Sequence, residues 1–248
     1  VLGFGQIGRL DLNQLEKGVL GYQLDSQAVN ACKLLIQKQG INYFYDISNS
    51  AEEYFPLQMG NGDYKIILLE KISGSSYKVV QSNLVALSLK KSEDAFLGSV
   101  QNICWSTEDL AIKKAAQLTE GLQSDYDKIQ AIYDYVVENI TYDQVKARSI
   151  SSGYVPDIND TYYYEKGICY DYSALFAAML RSVGVPAKLV MGKSRLVKDT
   201  YHAWNEVFLE TEGKWIVMDT TIDAALRKAS KSYSAKKSCD DYTPDKFY

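Results

Sequence analysis

"GICYDYSALFAAMLRSVGVPAKLV", residues 167–190, sets a cysteine at the start of a strong apolar helix and ends that helix on Gly184 and Pro186. Tyr172, Leu175, Phe176, Met179, Leu180 and Val183 recur at helical spacing and predict its buried stripe. A thiol at a helix N-terminus faces unpaired backbone N–H groups and the positive end of the helix dipole. Both favour thiolate, the nucleophilic form. The same N–H groups can hold an oxyanion. The competing reading is a small buried hydrophobe, a common role for a free cysteine. That suits Cys32 and Cys104 better than Cys169, which Gly167 and a polar upstream loop leave approachable.

A nucleophile needs a base, and the chain has one histidine, His202, in "TYHAWNEV" (200–207). Residues 201–210 and 214–219 read as strands joined by "TEG", a hairpin turn signal. Alternation puts His202, Trp204 and Glu206 on one face. Asp219 follows His202 at an odd separation, so an even-length loop brings both to the same sheet face, opposite or one diagonal apart. A carboxylate there fixes the imidazole tautomer. Asn205 is the rival orienting group, although its side chain should point to the other face. Cys169, His202 and Asp219 thus read as nucleophile, base and orienter.

"GICYDYSALFAAMLRSVGVPAKLVMG", "YHAWNEVFL" and "KWIVMDTT" resemble, in order and spacing, the three motif blocks of the transglutaminase-like superfamily, over about residues 106–224. Those blocks are a G-x-C-x-[DE]-[YF] helix start, an H-[AS]-W strand and a strand ending in D-[PT]-[ST]. Thr220 stands where many members have proline. The resemblance implies an α+β, papain-like domain of bacterial type, with a nucleophile-bearing helix packed on an antiparallel sheet. It also implies acyl transfer on amide bonds of a peptide or protein substrate through a thioester, with the catalytic roles on Cys169, His202 and Asp219. Tyr163, six residues before the nucleophile, is the candidate second oxyanion donor, and Trp204 a candidate substrate contact.

No cofactor is implied, and one histidine with four scattered cysteines argues against a metal site. "DIND" (157–160) lacks the glycine and distal glutamate of a calcium loop, so hydrolysis is expected over cross-linking. Transamidation is the alternative, and so is a non-catalytic binding module that keeps the fold.

Outward from this core, "STEDLAIKKAAQLTEG" (106–121) predicts a helix capped by Ser106 or Thr107. A second helix follows Ser124, with Ile129, Ile132, Tyr133, Val136, Val137 and Ile140 on its apolar face. A polar, tyrosine-rich loop runs from about 141 to 166, and a domain boundary falls near residue 105. Residues 106–248 form the expected transglutaminase-like domain. Residues 1–105 predict an all-β, immunoglobulin-like sandwich with strands at 31–38, 41–47, 64–72, 76–82 and 83–90 and turns at Gly40, 48–50, 60–63 and 73–76. That domain reads as a spacer, a partner-binding module or a cover over the groove. "GFGQIG" (3–8) matches a dinucleotide fingerprint, yet only Val1 and Leu2 precede it, so it reads as a flexible terminus.

A net charge of −4 argues against nucleic-acid binding, and no stretch approaches the ~20 apolar residues of a membrane span. The chain starts at Val1 without an initiator Met and carries 20 tyrosines. Together these read as a processed or truncated chain, outside the cell or in its envelope, with any signal peptide not in this sequence. Spacing does not decide a Cys32–Cys104 bridge, and the sequence gives no oligomeric state.

Overall fold

The computed structural model describes residues 7–25, 30–48 and 51–248. Residues 1–6 of the glycine-rich terminus, and 49–50 of the predicted turn, lie outside them. The chain divides into two compact units, Val1–Val100 and Gln101–Tyr248. Residues 101–105, read from sequence as the end of the first domain, therefore lie in the second unit.

Among its described residues the first unit holds seven strands: β1 Gly8–Asp11, β2 Val19–Leu24, β3 Cys32–Lys38, β4 Ile41–Ile47, β5 Glu53–Pro56, β6 Gly62–Ser73 and β7 Ser76–Leu87. They form two sheets, ordered β1-β2-β5 and β4-β3-β6-β7, with every pairing antiparallel. Period-two alternation builds the core. Leu34 and Ile36 pair with Tyr45 and Tyr43 on one side and with Leu68 and Ile66 on the other, and all six are buried. The sheets meet through Tyr45 and Phe55, whose rings lie edge-on at 4.9 Å, and through Tyr22, whose hydroxyl donates to Gln81. The separate strands expected at 76–82 and 83–90 are one strand. Opposite the Leu68–Leu69 step of β6, β7 carries the extra residue Val80 between Val79 and Gln81, a bulge that changes its alternation without ending the ladder.

In the second unit, α1 Leu110–Leu118 and α2 Asp125–Asn139 lead to β8 Thr141–Tyr142, α3 Gln144–Ser149, α4 Ile158–Tyr164, β9 Lys166–Gly167 and α5 Cys169–Ser182. There follow β10 Ala187–Ser194, β11 Val197–Leu209, β12 Lys214–Met218, α6 Thr220–Lys228, β13 Lys236–Lys237 and β14 Tyr242–Phe247. The five-stranded sheet runs β13-β12-β11-β10-β14, and α5 packs on β10 and β11.

Helix α5 is buried on all sides from Asp171 to Arg181, not along one stripe, because α1, α2, α4 and α6 also pack on it. Its small Ala174, Ala177 and Ala178 allow that close approach. Helix α1 starts later than predicted: Ser106 and Asp109 exchange turn hydrogen bonds, and Leu110 begins the helix. Ser124 caps α2 as expected, accepting from Asp127 N. The presumed loop contains two short helices, started by Asp143 and Asp157, whose carboxylates accept first-turn N–H groups.

Gly192 sits between β11 and β14, paired with His202 and Pro244. A Cβ there would meet Thr243 O at 2.2 Å and Asp245 N at 3.0 Å, both backbone atoms. Gly192→Ala must therefore push β14 off the sheet, and about 2 kcal/mol of stability should be lost. Urea unfolding checks this; a wild-type midpoint would show that β14 does not seat so closely.

Candidate active site

Cys169 is the first residue of α5, with Ile168 at the cap. The first main-chain donor used within the helix is Tyr172 N, bonded to Ile168 O, so the N–H of Cys169 is left to face a ligand. Asp171 stiffens this start. Its Oδ2 accepts from Ile168 N at 2.8 Å and pairs with Lys146 Nζ at 2.8 Å, and its Oδ1 accepts from the Tyr154 hydroxyl. Gly167 is required here, because a Cβ would lie 2.6 Å from that of Asp171. Helix α5 and the loop before it are thus tied by one buried carboxylate.

Strand pairing Leu209↔Lys214 makes a four-residue connection whose Gly213 takes φ +60°. Continued past Asn205↔Met218, that register sets Asp219 one diagonal from His202. Asp219 Oδ2 lies 2.7 Å from His202 Nε2 and accepts from the Tyr242 hydroxyl at 3.0 Å, while Oδ1 caps α6 through Ile222 N at 3.1 Å. With Nε2 engaged, Nδ1 is the nitrogen left for Cys169, which is hydrogen-bonded to the ring. Burial works against a charged imidazole, but Asp219 and Cys169 outweigh it and push His202 up from 6.5 to about 10. One turn beyond Asp219, the buried Asp223 takes the Tyr133 hydroxyl and Lys237 Nζ. Burial pushes its carboxyl up against the pull of those two partners.

Cys169 and His202 open on a cleft of about 230 Å³, lined also by Ile150, Tyr154, Tyr170, Met191 and Tyr201. Tyr163, the candidate oxyanion donor, is not among its lining residues. It is 73% exposed on α4, edge-on to Tyr164 at 5.0 Å, because the chain re-enters a helix there and turns at Glu165 with φ +50°. Trp204 is 1% exposed and supports His202 from the core, its ring 6.3 Å from the imidazole and 4.9 Å from Tyr242. It does not line the cleft either.

Asn205 points to the opposite face and donates to Ser173 O and Lys188 O, so it anchors α5 and leaves His202 to Asp219. None of the four cysteines is in a disulfide, which removes the Cys32–Cys104 bridge; Cys104 is exposed and not a core residue. Tyr242 and Lys237 had no sequence signal, since their partners are set by strand order alone. Among the described residues no helix is long and apolar enough to cross a membrane.

Residues 112–220 match the model of the transglutaminase-like superfamily. That stretch of the chain is a transglutaminase-like core. It is 22% identical over 196 residues to the uncharacterized protein YebA of Bacillus subtilis (strain 168), a match covering 71% of this chain and 26% of YebA. The chain thus spans about a quarter of the length of that curated relative. Among solved structures, a protein described as a candidate cysteine protease from Cytophaga hutchinsonii is 18% identical, with 82% of this chain and 74% of that one covered and a TM-score of 0.44. A TGase is 24% identical over 54% of this chain and 35% of its own, with a TM-score of 0.37. Both scores fall below 0.5, and the family assignment rests on the sequence match.

Proposed function

We propose that this protein is a cysteine enzyme that transfers acyl groups from amide bonds of peptides or proteins, with water as the usual acceptor. The observation that carries the reading is the 2.7 Å contact of His202 with Asp219, beside a cysteine at a helix N-terminus in the same cleft. Cys169 Sγ, as thiolate, attacks the carbonyl carbon, and the Cys169 N–H faces the oxyanion. The His202 imidazolium gives its proton to the leaving nitrogen, the C–N bond breaks, and a thioester remains. Neutral His202 then takes a proton from water as the oxygen attacks. Collapse of the second tetrahedral intermediate expels the thiolate and leaves a carboxylic acid.

Water as acceptor is supported by the partial exposure of Cys169, which leaves a thioester there open to solvent. Transamidation would need a second, water-excluding groove for the amine. The first unit's two antiparallel sheets support an immunoglobulin-like sandwich within the same reading, serving as spacer, partner module or cover.

The test offers a glutamine-containing protein and a peptide library together with a fluorescent primary amine, with and without calcium. Peptide cleavage or ammonia release is expected to outpace amine incorporation, with no calcium effect. Efficient incorporation would make the protein a cross-linker. Iodoacetamide at neutral pH should modify Cys169 well before the exposed Cys104 and Cys239. Equal rates at all three would favour a binding module that has only the fold.

A further inference from the structure

The family core ends at residue 220, but the carboxylate of Asp219 is completed by a side chain from beyond it. Strand β14 adds to the free edge of β10 with Ser194 opposite Tyr242. This register delivers the phenol, 6% exposed, to Asp219 Oδ2, the same oxygen that meets His202. The proton direction is fixed by its neighbours. An ionised carboxylate only accepts, so the Tyr242 proton goes to Asp219. Burial and the Asp219 charge keep that phenol protonated. Asp219 Oδ2 therefore receives two donors, Tyr242 O–H at 3.0 Å and His202 Nε2–H at 2.7 Å, while Ile222 N holds Oδ1.

We propose that Tyr242 is a positioning residue for the Cys169–His202–Asp219 site: its hydroxyl fixes the Asp219 carboxylate and shares the charge that His202 feels. The inference rests on the acyl-transfer reading for its kinetic arm only. A carboxylate with its second donor removed concentrates charge on His202 and holds the imidazolium too tightly. An imidazolium so held is a poorer acid towards the leaving nitrogen.

The groups that bear on this balance are His202 on β11, Cys169 on α5, and Asp223 on α6 with its partners Tyr133 on α2 and Lys237 on β13. Tyr242→Phe leaves all of them in place and keeps the ring that packs on Trp204.

The experiment follows the sole imidazole by NMR through a pH titration, in wild type, in Tyr242→Phe and in a chain carrying 3,5-difluorotyrosine at position 242. Removing the hydroxyl should raise the His202 midpoint by about half a pH unit, and the stronger fluorinated donor should lower it. With substrate, kcat of Tyr242→Phe should fall roughly tenfold at an unchanged KM. Thermal melting confirms that each variant is folded, and the fluorinated chain, with its hydroxyl intact, decides the matter if the Phe variant is not. A midpoint that stays put, or moves the same way in both variants, overturns the proposal, as does a shift with unchanged kcat. If wild type turns over no amide at all, the enzymatic reading has failed, while the opposed midpoint shifts still uphold the Tyr242–Asp219–His202 linkage.

Discussion

Cys169→Ala and His202→Ala are each expected to lower amide turnover by on the order of 10⁴-fold or more while leaving the fold intact. In the proposed mechanism, the first removes the atom that carries the acyl group, and the second removes the proton carrier between Sγ and the leaving nitrogen. Asp219→Ala should cost less, about 10³-fold, because it orients the ring and does not react. Asn205→Ala should affect stability and not turnover, since its amide holds Ser173 O and Lys188 O. Tyr163→Phe should leave kcat unchanged.

The single histidine makes the same variants readable without substrate. In wild type the imidazole should titrate near 10, and in Cys169→Ala its midpoint should fall because the Cys169 contribution is gone. Asp219 should still hold it above 6.5. Folded His202 binds its proton more tightly than the unfolded chain does. The stability this contributes is therefore complete below about pH 6.5 and is lost as pH rises through about 10. Wild type should lose more unfolding free energy than Cys169→Ala between pH 7 and pH 10. Residual wild-type activity in either single variant, or a His202 that titrates at its ordinary value, would remove the site assignment.

The parts of the fold and site that could be read from the sequence are those in which neighbouring residues carry the signal. The three motif blocks, the Ser124 cap, the apolar face of α2 and the parity of the β11–β12 connection are all local. The structure's four-residue connection, one residue longer than the "TEG" turn, is the even length that brings His202 and Asp219 to one face. What escaped depends on contacts between distant segments or on caps inside polar stretches. The short strands β1, β2 and β5 have no turn punctuation as regular as that of β3 to β7. Asp143 and Asp157 cap two short helices, but the tyrosine-rich composition around them reads as loop. Tyr163 was placed by counting back from Cys169, and such counting fails once α4 turns the chain outward. Tyr242 meets Asp219 only because β14 lies beside β10, a pairing no periodicity announces.

Asp171→Ala carries the second large effect, and it acts on the nucleophile's support. Asp171 is fully buried at the third position of α5, where it closes three links at once: to Ile168 N, to the Tyr154 hydroxyl and to Lys146 Nζ. Its removal leaves the start of the helix uncapped, and Tyr154 and Lys146 lose their shared acceptor beside the cleft wall. Breaking a buried charge pair from one side typically costs about 3–5 kcal/mol, and for a chain of this size the melting temperature should drop by about 10 °C. Turnover should fall as well, because the Cys169 N–H and Sγ would no longer be held in place.

Lys146 is partly exposed and can return to water, so Lys146→Ala alone should cost much less. The double variant separates the pair from the cap. If the ion pair matters, adding Lys146→Ala to Asp171→Ala should change stability little, since its partner is already gone. Strictly additive losses would mean that Lys146 and Asp171 act independently, and that the cap on Ile168 N alone holds the nucleophile helix.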